Sequence, residues 1–427
     1  GLPRLACVTF SLHVDAELWR AGIKAEHDTL TIDDEHGGQV ELVPVIASHG
    51  WGLHRHQLAR EATVLGARTL AVETPADAME VAADFAGDIL VTQPWDPRHA
   101  HLESDWDDLT GEVSPAGPEP DRRVIRTIAT TDALHRLAES TTTCAPVVLQ
   151  GLTSRHCIGL QEPDLDALLA DDTIRAALRD SRIDIRGALL HLPGRQPGSP
   201  QVSTIGDSRG DVLSSRASNR VRESWGWTVL WIRALAAVEQ SGIDLHASAT
   251  TMWVDGLDDS EVSDLQGALD VVPIKLLRGS QLWLPDDDSL QAYGTVLAVH
   301  RVERGRDVGD RQRGTPKDGY IVVLRGGTSH GIGVAAGNNT SSLRERASAA
   351  AGRAMSAIGR LRSPFVWAGK RRWFVEPPGS STSLVWLSAE DLSEALASGH
   401  RTPAVGDQWA CDVNPELARY DRIVGLG

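Results

Sequence analysis

Lysine and tyrosine are scarce in this chain of 427 residues. Its four lysines stand at positions 24, 275, 317 and 370, and its three tyrosines at 293, 320 and 420. Arginine supplies most of the positive charge. Such a preference for arginine usually reflects genome composition. Any chemistry that needs a lysine amine or a phenol is therefore restricted to these few positions.

Paired cysteine motifs and long apolar runs are absent. The four cysteines, Cys7, Cys144, Cys157 and Cys411, lie far apart without CxxC spacing, so the sequence predicts neither a disulfide framework nor a zinc knuckle. No run of eighteen apolar residues occurs, and the first thirty residues show no signal-peptide pattern. We therefore expect a soluble, non-secreted, cytoplasmic protein with no membrane span.

The charge balance is strongly acidic. The net charge is −16, and the sequence contains no basic block beyond local clusters such as Lys370–Arg372. A nucleic-acid groove needs a basic surface. Nucleic acid is therefore not an expected partner.

Short apolar runs alternate with helix-like segments from residue 42 onward. Eight runs fit this pattern, at 43–47, 69–72, 88–92, 124–128, 146–151, 185–191, 246–250 and 270–276. Such alternation predicts an α/β chain with a (β/α)8 TIM-like barrel. After Pro285 the runs become β-like and turn residues become frequent, which indicates a C-terminal, mostly-β domain.

Two segments have the composition of long loops. Residues 95–123 are rich in Asp, Glu, Pro and Gly, and residues 194–216 in Gly, Ser, Pro and Arg. Loops that follow barrel strands face the end of the barrel that carries active sites. These segments are interpreted as a lid, a partner surface or simple surface loops.

The stretch Leu42–His54 combines an apolar strand, a glycine-punctuated turn and the start of a helix. It resembles the alanine racemases and their actinobacterial racemase-like relatives, in which this element carries the lysine that binds pyridoxal phosphate (PLP) as a Schiff base. In register, Ala47 takes the place of that lysine and Trp51 that of a tyrosine. The resemblance implies a fold-type III scaffold without its defining lysine.

The likeness runs from about residue 8 to the C terminus. The segments Val323–Gly333 and Arg362–Phe374 resemble the racemase-like subfamily in particular. The resemblance implies three parts. They are an N-terminal strand at 1–15 that belongs to the β domain, a barrel at 16–287, and a β domain at 288–427.

The acid–base groups of the racemases are also altered. The stretch that matches the family's second catalytic tyrosine, Arg306–Arg313, contains no tyrosine. Gln150 and Cys157 stand in the places of a family lysine and arginine. Lys275 is the only lysine on a predicted barrel strand, so it is the one candidate for a relocated Schiff base, with a strand-end cation as the alternative. His191 matches a family histidine near the cofactor, with a hydrogen-bonded core histidine as the alternative.

A remnant of the phosphate site is a further expectation from the resemblance. The segment Lys275–Trp283 is similar to the last barrel segment of the racemases, and Arg278 lies one step from the family's arginine position. Gly279 is kept, and Tyr420 resembles a tyrosine that touches the phosphate. Arg278, Gly279 and Tyr420 are therefore expected, with Trp51, to form the cofactor-binding or anion site.

Histidines cluster near the predicted barrel mouth. The pairs His54/His56 and His99/His101 have spacing that can chelate a metal, and His49 is a further candidate ligand beside them. No carboxylate or cysteine stands in clear register with them, and histidines that face solvent on loops are the alternative. No covalently bound cofactor is expected, and PLP or a metal bound in another way stays open.

Three functions follow from these residues. The first is a racemase-like pseudoenzyme of amino-acid or peptidoglycan metabolism that binds a small amino-acid or cell-wall-precursor ligand or a protein partner. The second is an enzyme with altered chemistry, using PLP through another lysine, a metal or no cofactor. The third is a PLP-dependent alanine racemase whose register is misassigned. The resemblance also implies a dimer, either of identical chains or with an intact homologue.

Overall fold

The computed structural model describes most of the chain. Described are residues 9–33, 39–98, 106, 109, 123–194, 217–269, 271–285, 288–310, 312–315, 317–333 and 361–426. The chain divides into two compact units. The barrel unit comprises Ile23–Gly50 and His54–Trp283, and the β unit comprises Gly1–Gly22, Trp51–Leu53 and Leu284–Gly427. The expected domain boundaries lay after residues 15 and 287. The observed bounds differ from them mainly because the first helix contributes residues to both units.

The strands are numbered in chain order. They are β1 Phe10–Val14, β2 Ile32–Asp33, β3 Gln39–Ile46, β4 Thr69–Val72, β5 Asp88–Pro94, β6 Val124–Ile128, β7 Ala145–Gln150, β8 Ile183–His191, β9 Met252–Asp255, β10 Ile274–Arg278, β11 Leu290–Val302, β12 Asp307–Val308, β13 Arg313–Gly314, β14 Gly319–Arg325, β15 Arg362–Trp367, β16 Lys370–Phe374, β17 Thr382–Ser388, β18 Gln408–Cys411 and β19 Arg422–Val424.

The described α-helices begin at polar capping residues in most cases. They are α1 Ala16–Leu30, α2 Arg55–Val64, α3 Pro75–Val81, α4 Thr131–Ser140, α5 Glu162–Ala170, α6 Asp172–Arg179, α7 Asn219–Gln240, α8 Asp259–Ala268, α9 Ser280–Trp283 and α10 Ala389–Ala397. Helix α3 shows how the sequence sets such a start. The Thr74 side chain accepts from the Asp77 backbone N–H, and Asp77 accepts from that of Thr74, which satisfies two backbone donors of the first turn.

The strands β3 to β10 form a closed parallel barrel, which confirms the predicted fold class. Each of them pairs in parallel with the next, and β10 closes the ring on β3 through the pair Leu277↔Val43. The short β2 adds an antiparallel edge to β3. The barrel forms because the strands are apolar on both faces, as parallel strands covered by helices must be.

One predicted barrel strand is misplaced. Residues 246–250 form a short 3-10 turn, Ala247–Thr250, and the strand begins at Met252. The His246 ring accepts a hydrogen bond from the backbone N–H of Ser248 at 3.1 Å, so local capping favours a turn there. The fully buried side chains come later, at Met252, Trp253 and Val254. The predicted strand at 270–276 likewise lies slightly later, at β10.

The β unit is built on an eight-stranded sheet, which confirms the predicted mostly-β domain. The strands β11, β14, β17, β16, β15 and β18 pair in that order, and β18 pairs back with β11. The N-terminal strand β1 joins this sheet between β11 and β19. Its side chain Phe10 packs in the apolar core of the unit with Val296, Phe365 and Trp409.

Asp421 ties several parts of the β unit together. Its carboxylate accepts from the Phe10 backbone N–H at 2.8 Å and from Arg325 Nε at 3.0 Å. His330 Nε2 lies 3.3 Å away, and its Nδ1 accepts from the Gly327 N–H, so Nε2 carries the proton that is donated to Asp421. Burial raises the pKa of Asp421, but these hydrogen bonds outweigh it and lower the pKa to about 2.

The Asp421→Asn substitution is expected to lower the free energy of unfolding at pH 7 by about 1 to 2 kcal/mol, because hydrogen bonds to a charged acceptor are lost. The folded-state pKa lies below the ordinary carboxyl value of about 3.9, so this stabilisation is present above that value and disappears as the pH falls through about 2. Urea unfolding of the native chain and of Asp421→Asn, at pH 7 and at pH 3, measures this difference in the free energy of unfolding. Asp412→Asn is the control, because Asp412 pairs with Arg371 on the surface. An equal loss in the two variants would contradict the assignment.

Among the described helices, none has the length and apolar character needed to cross a membrane.

Candidate functional site

The barrel interior has an apolar middle layer. Its residues are Val43, Ala71, Leu90, Ile125, Val148, Leu189, Trp253 and Leu277. Because side chains alternate along a strand, the residue two positions further on each strand lies on the same face, nearer the carboxyl end. These residues are Val45, Glu73, Thr92, Thr127, Gln150, His191, Asp255 and Gly279. We call them the mouth ring, and active sites of such barrels lie at this end.

The threonines of the mouth ring have already used their donors. Thr92 Oγ1 donates to the Val72 carbonyl at 3.1 Å, and Thr127 Oγ1 donates to the Val91 carbonyl at 2.7 Å. A hydroxyl has a single hydrogen to donate and two lone pairs. Toward the interior, both threonines therefore present acceptors only.

Gln150 is held by the loop that follows β7. Its Nε2 donates to the Ile158 carbonyl at 2.8 Å, whereas its buried Oε1 has no hydrogen-bond partner in the described part of the chain. The loop is tight because Gly159, with φ +156°, approaches Gly151 so closely that a Cβ would lie 2.5 Å from its carbonyl carbon. Gln150 thus contributes an unused acceptor to the ring.

His191 and Asp255 form a pair at the ends of β8 and β9. They are direct neighbours in the sheet register, and His191 Nδ1 lies 3.1 Å from Asp255 Oδ2. If Nδ1–H donates to the carboxylate, Nε2 of the neutral ring keeps its lone pair. The Thr153 hydroxyl donates to the His191 carbonyl and fixes the adjoining loop. The pair can accept a proton or a hydrogen bond from a ligand.

Two buried arginines fix the loop that follows Asp255. Arg220 of α7 forms an ion pair with Glu261 and donates to the Gly256 carbonyl at 2.5 Å. Arg278 donates to the Leu257 carbonyl at 2.6 Å and lies 3.2 Å from Asp259. Both guanidinium groups are engaged by the protein itself. They therefore position the ring and do not add charge to it.

The loop after β3 carries Ala47. Ala47 is buried, and its carbonyl accepts from the Gly50 N–H at 2.8 Å. Its neighbour Ser48 donates through its backbone N–H to Glu73 at 3.0 Å and through its hydroxyl to Asp77 at 2.6 Å. These bonds pin the start of the loop to the strand and helix that follow it.

The same loop then turns through an uncommon backbone. Gly50, Trp51, Gly52 and His54 all have φ between 47° and 76°. Two of them are not glycine, and such residues rarely adopt this conformation without a constraint from their surroundings. Trp51 is buried, and this packing supplies such a constraint. In the β unit, a Cβ on Gly52 would lie 2.6 Å from the Tyr420 ring, so only glycine fits there.

Lys275 lies at the opposite end of the barrel interior. It is the second residue of β10, two positions before Leu277 of the middle layer, and so lies nearer the amino ends of the strands. Its Nζ donates to Thr69 Oγ1 at 2.7 Å, lies 3.5 Å from Glu41 and sits 4.6 Å from the Trp253 ring centroid. We call Glu41, Thr69, Asp88 and Lys275 the basal cluster.

The three charged side chains of the basal cluster are largely shielded from solvent. Burial lowers the pKa of Lys275, and the Glu41 and Asp88 carboxylates offset this only in part. Burial also raises the pKa of Asp88, against the opposing effect of the Lys275 charge. The apolar middle layer separates this amine from the mouth ring. This position argues against a Schiff base of Lys275 at the barrel mouth and favours the alternative of a structural cation.

The other lysines are committed to exposed ion pairs. Lys24 pairs with Asp28 in α1, and in the β unit Lys317 and Lys370 pair with Glu390 and Glu394 of α10. All four lysines of the chain are described, and none lies on the mouth ring. The residues of the barrel mouth therefore do not fit a covalently attached PLP, which needs a lysine amine there.

The residues expected to form the anion site belong to two different units. Arg278 is buried and bonded to Leu257 and Asp259, as described above, beside Gly279 in the barrel unit. Tyr420 belongs to the β unit, where it stacks on Phe10 with ring centroids 5.6 Å apart. Burial strongly raises the pKa of the Tyr420 phenol.

The candidate metal histidines are not brought together. His49 and His54 are exposed, and His56 bonds to Asp84 at 2.7 Å on the helical layer outside the barrel. Across the described ranges, no group of three or more His, Cys, Asp or Glu side chains has a geometry that could hold a metal. His99 and His101 lie outside the described residues, as do most of the loop at 95–123 and residues 195–216 of the second loop.

The fold is that of the alanine racemases. The solved alanine racemase of Streptomyces coelicolor A3(2) has a TM-score of 0.59 and 15% identity, over 96% of this chain and 89% of that one. The enzyme from D-cycloserine-producing Streptomyces lavendulae has a TM-score of 0.58 and 16% identity, over 96% and 88%. A histidine racemase from Leuconostoc mesenteroides has a TM-score of 0.55 and 13% identity, over 96% and 89%. At these identities the likeness establishes the fold. Neither a protein-family model nor a curated protein sequence matches the chain.

Several residues of the mouth ring were missed by sequence reasoning. Glu73, Thr92, Thr127 and Asp255 were not singled out, and Gln150 was noted only as a replacement for a family residue. One signal was present for three of the four, because Glu73, Thr92 and Thr127 each follow an apolar residue of a predicted strand by two positions. Asp255 lay beyond the misplaced strand at 246–250. The last inward position of each strand was the place to look.

Proposed function

We propose that this chain is a racemase-like protein that binds a small polar ligand non-covalently at the mouth ring, and that it does not racemise amino acids through a lysine-linked PLP. The observation that carries the proposal is the position of the four lysines. Two bases and an aldimine-forming amine are needed for that racemisation. No lysine of the chain stands on the mouth ring.

The electrostatics of the ring support the same conclusion. Its charged members are Glu73 and Asp255, and it includes no arginine or lysine. A phosphate group is usually held by arginine, lysine or a set of backbone N–H groups. Arg278 is bonded to a backbone carbonyl and to Asp259, so it is not available to a cofactor phosphate without breaking those bonds.

The ligand and the assembly follow from the resemblance to the racemases. The proposed ligand is a small amino-acid or cell-wall-precursor molecule of amino-acid or peptidoglycan metabolism. The proposed assembly is a dimer, either of identical chains or with an intact homologue. In that setting, a ring that binds without the aldimine chemistry is suited to regulation or scaffolding.

A second candidate is an enzyme with altered chemistry on the same scaffold. The His191–Asp255 pair favours it, because a carboxylate that orients a histidine is a common general-base arrangement. Removal of the base by His191→Gln would then abolish any turnover while ligand binding persisted. If His191 serves binding alone, affinity and turnover change together.

Sodium borohydride treatment of the purified protein incubated with PLP is expected to leave the intact mass unchanged, because an aldimine is reduced to a stable secondary amine only where one has formed. Intact-mass spectrometry measures this, with an authentic PLP racemase as the positive control. A stoichiometric pyridoxyl adduct would overturn the proposal. If such an adduct also vanished in Lys275→Arg, a relocated Schiff base would be established.

A further inference from the structure

We propose that the mouth ring recognises the ammonium group of an organic amine. This inference rests on the proposed function, since it names the class of ligand for the same site. The hydrogen-bonding state of each ring residue and the charge of the ring support it.

The ring offers acceptors and almost no donors. The hydroxyl hydrogens of Thr92 and Thr127 point to strand carbonyls, as their 3.1 Å and 2.7 Å bonds indicate. Val45 and Gly279 have no polar side-chain atom. Glu73 and Asp255 are acceptor-only when ionised. The part of a ligand that contacts the ring therefore has to bring hydrogen-bond donors.

Gln150 provides a second, independent observation. One N–H of its amide donates to the Ile158 carbonyl, and its oxygen Oε1 is buried and lacks a donor among the described residues. The second amide N–H is the one side-chain donor that Gln150 retains. A buried acceptor without a donor costs about 1 to 3 kcal/mol. A donor from a ligand removes that penalty, so this side chain favours a ligand rich in N–H groups.

The charge of the ring selects a cation among such ligands. Asp255 is only partly satisfied by His191 Nδ1, and its remaining oxygen is available, with 40% of the side chain exposed. Glu73 accepts from the Ser48 N–H at 3.0 Å through one carboxylate oxygen, which leaves the other oxygen available to a ligand. An ammonium group carries three donors and one positive charge, which matches several acceptors and two carboxylates.

A metal ion is the competing cation, and the geometry disfavours it. The ring has one histidine and two carboxylates, which lie on or directly after three different strands, and no metal-holding group of such residues is present in the described chain. Transition metals need three or four ligand atoms at about 2.0 to 2.3 Å. An ammonium ion tolerates the longer distances of hydrogen bonds, about 2.7 to 3.2 Å.

Saturation-transfer NMR on the full chain at pH 7 tests the proposal with three probes of similar length. They are putrescine, a diamine that is doubly protonated, butanediol, which is neutral, and succinate, which is anionic. We expect saturation transfer to putrescine alone. We also expect its affinity to fall with added salt, because the contact is between charges.

Variants of ring residues distinguish binding at the mouth ring from general attraction of a cation to an acidic protein. Asp255→Asn keeps the shape of the side chain and is expected to raise the Kd for putrescine about tenfold or more. Gln150→Met removes the unpaired acceptor and is expected to raise it several-fold. Asp264→Asn removes one negative charge from the exposed face of α8 and is the matched control, for which no more than about a twofold change is expected. Circular dichroism confirms that each variant is folded.

Each alternative outcome has a distinct meaning. Equal weakening by Asp255→Asn and Asp264→Asn would show diffuse attraction to an acidic protein and overturn the inference. Binding of succinate or butanediol that is lost in the ring variants would also overturn it, while non-covalent binding at the ring would stand. If zinc or magnesium displaced putrescine and its binding depended on Asp255, the ligand of the ring would be a metal ion and not an amine. If no probe responded to either ring variant, both the inference and the proposed function would fall.

Discussion

Replacement of Arg220 by methionine is expected to lower the free energy of unfolding of the barrel unit by about 3 to 5 kcal/mol. Arg220 and Glu261 are almost fully buried, and Arg220 Nε lies 3.1 Å from Glu261 Oε1. Removal of one partner of a buried ion pair leaves the other charge in a medium of low polarity. The measurement is urea unfolding at neutral pH, followed by tryptophan fluorescence.

Two comparisons make this result specific. Arg233→Met removes a guanidinium from a surface pair with Asp166, where both side chains are at least half exposed, and is expected to cost less than about 1 kcal/mol. The double change Arg220→Met with Glu261→Leu is expected to recover a large part of the loss, because no unpaired charge remains. A loss below 1 kcal/mol in Arg220→Met would contradict the assignment.

The same variant tests a link between stability and the site. Arg220 donates to the carbonyls of Pro193 and Gly256, which follow His191 and Asp255 closely in the chain. Loss of these bonds frees both loops at the ends of β8 and β9. Any ligand binding that depends on the His191–Asp255 pair should therefore weaken in this variant even under conditions where the barrel stays folded.

Replacement of Lys275 by methionine is expected to cost roughly 2 to 3 kcal/mol of stability, because Glu41 and Asp88 are largely shielded from solvent and would lose the cation between them, with only the exposed Arg68 left to Glu41. Urea unfolding measures it. The control is Lys24→Met, since Lys24 forms an exposed ion pair with Asp28 inside one helix and should change stability by no more than about 0.5 kcal/mol. Combining Lys275→Met with Glu41→Gln should restore part of the lost unfolding free energy.

The outcome also separates the two interpretations of Lys275. A lysine kept for Schiff-base chemistry is usually dispensable for folding, so its replacement would leave the unfolding midpoint near that of the native chain. A lysine that balances buried carboxylates has the opposite behaviour. An unchanged midpoint in Lys275→Met would therefore revive the catalytic interpretation and weaken the structural one.

The barrel was predictable because its signal is strong and local. Runs such as 69–72 and 124–128 coincide with the strands Thr69–Val72 and Val124–Ile128, since only a buried parallel strand tolerates short, continuous apolar sequence between helices. The run at 246–250 failed for a local reason. There a histidine cap and small residues favoured a turn, and the apolar strand began two residues later, at Met252.

The site was less predictable because it depends on direction and partners. Lys275 and Arg278 stand three residues apart on one strand, yet Lys275 points into the barrel at its amino-terminal end and Arg278 bonds to Leu257 and Asp259 outside it. Sequence distance does not show which face of a strand is interior. It also does not show that Gln150 and Asp255 belong to one ring, on either side of His191.

The sequence by itself determined the layered barrel, the mostly-β second unit and the scarcity of lysine, which confines an amine to four positions whatever the fold. These properties follow from composition and from apolar periodicity along single elements. Only the tertiary structure decided that none of the four lysines is a member of the mouth ring, that two arginines are bonded to loop carbonyls and carboxylates, and that the ring presents acceptors. Those facts depend on strand register and barrel closure, because pairing between distant strands sets which end of the interior each side chain occupies and which partner consumes its hydrogen bonds.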